Sequence, residues 1–272
     1  MANQSPDSVF GGSIPELYDT LLVPMIFEPY AADLTARLAS RHPERVLEIA
    51  AGTGAVTRAM ALALPEHASI TATDLNQPML DYASTVGSRR PVDWRQADAL
   101  QLPFPDDQFD AVVCQFGAMF FPDKVKAFSE ARRVLQPGGV LLFNVWDRIE
   151  NNEFADIVTR SLEKIFPDDP PRFLRRTPHG YCDSELIRGD LARAGFTRKP
   201  EISIVTSRSR AASPRIPAVA YCRGTPLSNE ITARDPSRVD ESIDAAAEAI
   251  AARFGNGAVD GKIQALVVTI EV

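Results

Sequence analysis

Val46-Leu47-Glu48-Ile49-Ala50-Ala51-Gly52-Thr53-Gly54 decides how this chain is read. An apolar run suited to a buried strand carries a carboxylate and then meets two glycines one residue apart. A helical pattern follows from Ala55 to Leu64, which puts the glycines at a strand-to-helix turn. Glycine supplies the dihedrals of a sharp turn, and without a Cβ it lets a ligand lie against the backbone. The unpaired N–H groups at the start of the next helix point into the same turn. A nucleotide-like ligand suits that geometry.

Residue identity narrows the ligand. A dinucleotide turn of the form G-x-G-x-x-G needs a third glycine, and Thr57 holds that place. A P-loop needs Gly-Lys-Ser/Thr, and Gly54 is followed by Ala55. What remains is E-x-A-x-G-x-G, in which Glu48 would repel a pyrophosphate and suits a ligand carrying positive charge. Glu48 to Gly54 resembles the first motif of class I S-adenosylmethionine-dependent methyltransferases. That cofactor has a sulfonium, an ammonium and no phosphate.

The residues that follow arrive in the order this resemblance requires. Ala68 to Thr73 reads as a short β-branched strand ending at Asp74, 22 residues after Gly52. That is near the spacing at which an acid after a second strand meets a ribose diol, and a carboxylate can accept from both hydroxyls. Asn76 then reads as the N-cap of a helix with Pro78 in its first turn. A third strand over about Val92 to Ala97 ends at Asp98-Ala99, and Phe109 to Gln115 is a fourth, after the turn-rich Pro103 to Asp107. Phe128 to Gly139 is a helix and a Pro-Gly turn, and Val140 to Trp146 a fifth strand. Residues 45–147 together resemble the ubiquinone/menaquinone-biosynthesis-type branch of these enzymes.

The resemblance implies S-adenosylmethionine as cofactor, S-adenosylhomocysteine as product, and a binding set. Glu48, Ala50, Gly52 and Gly54 form the turn; Asp74 takes the ribose, with Leu75 beside it. Asp98 meets the adenine amine and the Ala99 N–H a ring nitrogen. Met79 either faces the adenine or fills the core, and Gln115 lies beside the methionine moiety. Tyr18, within a Tyr-Asp element, either covers the cofactor or packs in the core.

Composition sets limits. A chain of 272 residues can bury one sizeable core with a smaller appended lobe. A formal charge of −7 argues against a nucleic-acid partner, whose phosphates need a basic face. Two basic clusters, Arg172/Arg175/Arg176 and Arg208/Arg210/Arg215, read as solvated faces beside acidic neighbours. Cys114, Cys182 and Cys222 are far apart with no zinc-type spacing, so no metal is expected, and unclustered thiols fit a reducing compartment. Met1 to Asp7 lacks an apolar signal core, and no apolar run reaches membrane-span length. The expectation is a cytoplasmic monomer or homodimer acting on a small molecule.

Outside the central segment, residues 1–13 read as mobile, and Ile14 to Ser40 as two helical patterns broken by Pro24 and Pro29. Tyr18, Phe27 and Tyr30 supply aromatic surface there, and by resemblance residues 1–40 form a helical lid. Asn152 to Phe166 is an amphipathic helix, with Phe154, Ile157, Val158, Leu162, Ile165 and Phe166 on or near one face. Ser184 to Ala194 is a helix closed by Gly195, Glu201 to Ser207 a sixth strand, and Lys262 to Val272 a last one. Residues 41–272 thus make one α/β domain with helical cap insertions at 150–182 and 215–255. The parallel units imply a Rossmann-like sheet with helices on both faces. By resemblance its order is 3-2-1-4-5-7-6, with strand seven antiparallel.

The chemistry expected is methyl transfer to an O-, N- or C-nucleophile by in-line displacement. The protein must align the partners and exclude water, and supply a base only where the nucleophile is not already anionic. His42 and His67 read as solvated loop residues; His179 in the first insertion is either a surface loop residue or the catalytic candidate. Tyr181, Trp146 and Asp147 are pocket candidates, and the apolar face that includes Phe154 is expected to wall the acceptor. The aromatic and aliphatic residues of the insertions suit an aromatic or quinone-like acceptor. A non-catalytic regulatory or scaffold protein that binds the same cofactor is the alternative; Thr57 and Glu48 disfavour a nucleotide-dependent oxidoreductase.

Overall fold

The computed structural model describes residue 7 and residues 10–272. It comprises two compact units. The sheet unit holds Glu28–Trp146, Tyr181–Val205 and Ala265–Val272; the helical unit holds the described residues up to Phe27, Asp147–Gly180 and Thr206–Gln264.

Seven strands form one sheet: β1 (Arg45–Ile49), β2 (Ser69–Asp74), β3 (Asp93–Gln96), β4 (Phe109–Gln115), β5 (Leu135–Trp146), β6 (Glu201–Ala211) and β7 (Val259–Glu271). Their order is β3-β2-β1-β4-β5-β7-β6, as expected, with β7 antiparallel to β5. β1 pairs in parallel with β2 on one side and β4 on the other. The strand order therefore reverses at β1, and the carboxyl ends of β1 and β4 flank the crevice in which such sheets hold ligands.

Burial explains why the central segments are strands. Every residue of β1 after Arg45 is buried, as in a parallel sheet covered on both faces. Alternation assigns the faces. Val46, Ile70, Ala111, Val113, Val140 and Leu142 share a core with Leu34 and Leu38 of α2 (Glu28–Ala39) and Val56 and Met60 of α3 (Ala55–Ala63). The opposite face carries Phe143, whose ring lies 5.0 Å from that of Phe128 in α5 (Lys124–Val134).

Three expectations change here. The Pro137-Gly138-Gly139 turn lies inside β5, where the register jumps from Phe109↔Leu135 to Ala111↔Val140. Gly138, at φ 81°, takes the left-handed conformation that this irregularity needs. Tyr30 is fully buried rather than a surface aromatic: its hydroxyl donates to the Val205 carbonyl, and its ring meets Phe116 and Trp146 edge-on. Pro24 does not end a helix. It sits inside a π-helical stretch, Tyr18–Phe27, between α1 (Ile14–Leu17) and α2, where the wider turn relieves the clash of the proline ring with the preceding turn.

The helical unit is built on α6 (Glu153–Ile165), α9 (Arg215–Arg223), α10 (Leu227–Arg234) and α11 (Val239–Phe254), with α7 (Phe173–Arg176) beside them, whereas α8 (Ser184–Arg193) belongs to the sheet unit. The apolar face of α6 is buried within this unit. The Phe154 ring meets Phe254 of α11 at 5.3 Å and packs on Gly261. The mobile N-terminus expected over 1–13 falls largely outside the described residues. Asp7, however, accepts from Arg176 and from the Thr177 hydroxyl, and Phe10 packs edge-on against Tyr18. Five arginines of the two basic clusters pair with nearby acids, Arg175 with Glu150, Arg176 with Asp7 and Glu230, Arg208 and Arg210 with Asp260, and Arg215 with Asp244.

Candidate functional site

The carboxyl ends of β1 and β2 are tied together beyond their last strand residues. The Ala51 amide donates to the Thr73 carbonyl at 2.9 Å, and the Ala97 amide to the Asp74 carbonyl at 3.0 Å. Three loops therefore leave the sheet side by side, at 50–54, 74–76 and 97–100, and carry most of the expected cofactor residues.

The first loop runs through the left-handed region at Ala50 (φ 55°), Gly52 (φ 58°) and Gly54 (φ 85°). Ala50 is the informative one, because a residue with a Cβ adopts this conformation only at a cost, and such strain concentrates at functional sites. The loop after β4 packs directly on it. A Cβ on Gly117 would lie 2.4 Å from the Ala50 Cβ and 2.9 Å from the Cys114 Sγ. Gly54 answers a structural need that the sequence did not reveal: a Cβ there would meet the Trp94 ring at 2.8 Å. Gly52 faces Met79, which is buried and sits at ordinary contact distance.

Two buried carboxylates occupy this loop system and are served unequally. Asp74 accepts from the amides of Gly52 and Asn76, each at 2.8 Å, and from the Asn76 side chain. Asn76 begins α4 (Gln77–Val86) as expected but turns to Asp74 instead of capping the helix. Glu48 is held by one hydroxyl, that of Thr57. Burial raises the pKa of both; the Glu48 carboxyl is pushed up to about 8, with the Asp74 charge adding to the effect and Thr57 and Arg58 opposing it.

The remaining sheet-unit candidates are less enclosed. Asp98 is half-buried and accepts from the Leu100 amide at 2.9 Å, Ala99 is buried, and the Leu75 carbonyl accepts from the Gln96 side chain. Gln115 is half-buried at the end of β4. A clamp below these loops fixes the segment from Asp98 to Asp106: Arg133 donates to the carbonyls of Leu102 and Phe104 and to Asp106, while Glu130 accepts from the Leu102 amide. The helix before the Pro-Gly turn thus positions the third loop.

Tyr18 and His179 belong to the helical unit. Tyr18 is half-buried and stacks on Phe27 at 4.8 Å. His179 is buried, not a surface loop residue; its Nδ1 lies 2.8 Å from the Asp147 carbonyl, so that nitrogen carries the proton and donates. Burial lowers its pKa to about 4. Asp147 is tied to Asn151 and Gln264. Tyr181, in the sheet unit, donates to Asp190 at 2.7 Å, and Trp146 stacks on Phe116 at 3.8 Å.

Sequence reasoning missed Thr57, read only as an absent glycine, and Arg58, which donates to the Thr53 carbonyl at 2.6 Å. It also missed Phe116, held at φ 51° by hydrogen bonds from its amide to Asn144. Spacing gave a signal for Thr57 alone, one helical turn beyond the loop and so within reach of Glu48.

These residues fit a ligand with positive charge and a diol. The site carries acidic acceptors, Glu48 and Asp74, and the buried Thr53 hydroxyl has no hydrogen-bond partner among the described residues. A family model described as a methyltransferase domain matches residues 47–143. The chain is 34% identical over 172 residues to the ubiquinone/menaquinone biosynthesis C-methyltransferase of Stutzerimonas stutzeri, covering 58% of this chain and 67% of that protein. It is 32% identical over 174 residues to the demethylmenaquinone methyltransferase of Thermus thermophilus, covering 59% of this chain and 77% of that protein. Among solved structures it is similar in fold to a phosphoethanolamine N-methyltransferase of Haemonchus contortus solved with S-adenosylhomocysteine. There the TM-score is 0.55 at 17% identity, over 94% of this chain and 57% of that one. The chain belongs to the class I S-adenosylmethionine-dependent methyltransferases, in their ubiquinone/menaquinone-biosynthesis branch.

Proposed function

We propose that this methyltransferase acts on a small, partly apolar acceptor of the phenol or quinol type. The observation that carries the reading is the likeness, above 30% identity and over more than half of the chain, to relatives named for ubiquinone, menaquinone and demethylmenaquinone methylation. The acidic balance of the chain supports a metabolite rather than a nucleic acid as substrate. No helix among the described residues is long and apolar enough to cross a membrane. A cytoplasmic monomer or homodimer is the working assignment.

In this reading Asp74 takes the ribose hydroxyls, Asp98 and the Ala99 amide take the adenine, and Glu48 faces the cationic amino-acid end. Ala50, Gly52, Gly54, Leu75, Met79 and Gln115 complete the sheet-unit set, with Tyr18 as cover. The bound cofactor supplies an activated methyl group on a sulfonium, which needs no further activation. The chain's own contribution is alignment and exclusion of water. Acceptor choice is assigned to residues 150–182 and 215–255. His179 is the candidate base, a neutral imidazole whose Nδ1–H is committed to the Asp147 carbonyl.

The test is incubation with S-adenosylmethionine and a panel of reduced quinones, phenols, amines and thiols, read by mass for the gain of one methyl group. Methylation of the quinol or phenol members is expected. Turnover confined to amines or thiols overturns the acceptor class, and His179→Gln with unchanged kcat removes the base.

A further inference from the structure

Glu48 and Asp74 stand at the ends of adjacent strands, and both side chains are inside the protein. Two carboxylates in such surroundings do not both ionise unless charge or hydrogen bonds compensate each. Asp74 has that compensation, with two amides and the Asn76 side chain directed at it. Glu48 has the Thr57 hydroxyl. Among the described residues, the charged and titratable groups that act on Glu48 are Arg58 on α3, Asp74 on β2 and Cys114 on β4. The Arg58 guanidinium donates to the Thr53 carbonyl, and the Cys114 thiol stays neutral, its pKa pushed up by burial to about 12. The donors therefore favour the negative charge on Asp74 and the proton on Glu48.

We propose that Glu48 is protonated in the cofactor-free protein and releases this proton to solvent when the cofactor binds, which couples cofactor affinity to pH. The inference rests on Glu48 facing the cofactor's cationic end. The O–H bond of the carboxyl breaks, the proton passes to water or buffer, and the carboxylate left behind balances the incoming positive charge. A neutral Glu48 costs little to bury while the site is open, and an ionised one attracts the cation, so the residue serves both states. Because protonation and cation binding compete, affinity rises with pH, by about tenfold per unit where release is complete.

Calorimetry in two buffers of different ionisation enthalpy, phosphate and Bis-Tris, tests this at pH 6 and pH 7. S-adenosylmethionine and S-adenosylhomocysteine are the ligands, since both keep a protonated amine below pH about 7.7. The expected result is release of close to one proton per cofactor bound, with affinity rising about tenfold between the two pH values. Glu48→Gln should bind more weakly at pH 7 and lose both effects. Should that variant fail to fold, difference infrared spectroscopy of the native protein supplies the second readout. A protonated-carboxyl band should disappear on binding. Binding with buffer-independent heat and pH-independent affinity overturns the proton coupling and leaves the cofactor assignment standing. Failure of folded protein to bind either ligand overturns both.

Discussion

Gly52 and Asp74 are 22 residues apart in the chain, and the amide of the first donates to the carboxylate of the second at 2.8 Å. The acid read as a ribose ligand thus also holds the glycine turn in place. Asp74→Ala should weaken cofactor binding by about 1.5–3 kcal/mol, the cost of removing a hydrogen-bonded charged group. It should also loosen the turn, and so lower the melting temperature of the cofactor-free protein. Calorimetry and thermal unfolding separate the two effects; an unchanged affinity means that Asp74 does not take the ribose.

Gly54 carries a second constraint of this kind. Gly54→Ala forces a Cβ into a backbone at φ 85° and against the Trp94 ring. The left-handed conformation alone costs about 1–2 kcal/mol, and the overlap adds to it. Gly54→Ala combined with Trp94→Leu should recover the part that comes from the overlap and keep the part that comes from φ. Denaturant unfolding of the two single variants and the double variant resolves the two contributions.

Phe154 belongs to the core of the helical unit, which changes what its removal should do. Phe154→Ala should cost about 3–5 kcal/mol of stability, as for other buried aromatics. A soluble, fully stable variant with altered acceptor preference would return Phe154 to the acceptor pocket. Urea unfolding followed by acceptor kinetics distinguishes the outcomes.

The clamp on the third loop sets an acid limit. Arg133 beside Glu130, helped by Lys126 and the Leu102 amide, holds the Glu130 carboxyl down at about 2. A carboxylate with a depressed folded-state pKa contributes its stability above its unfolded value of about 4.3, and loses it as pH falls toward the folded value. Unfolding free energy should therefore lose this contribution between about pH 4.5 and pH 2. Glu130→Gln should flatten that decline, and Arg133→Ala should cost about 2 kcal/mol at pH 7, less than a fully buried pair because the arginine is partly exposed.

The fold was legible because its signals are local and ordered. A buried parallel strand is a continuous apolar run, a turn into a helix needs glycine, and the acid after the second strand recurs at a set distance. Phe109–Gln115 and the helix from Ser184 were readable to within a residue on those grounds. Pro24 was misread because the wide turn that accommodates it is set by packing, and the proline rule describes an isolated α-helix. Tyr30 was misread because one aromatic on a helix does not reveal which face the sheet will cover.

The sequence by itself determined the strands and the chemistry of the cofactor loop, since these follow from the residue types along each strand and at its end; the order of the strands came only through the resemblance to the family. Only the tertiary structure decided what each site residue does for its neighbours. Gly54 makes room for Trp94 of β3, Thr57 donates to Glu48, and Asp74 accepts from backbone amides that Glu48 does not meet. The physical reason is distance: these partners are separated along the chain and meet through packing. Burial and hydrogen bonding, which set the charge of a carboxylate, are properties of that packing and not of the residue.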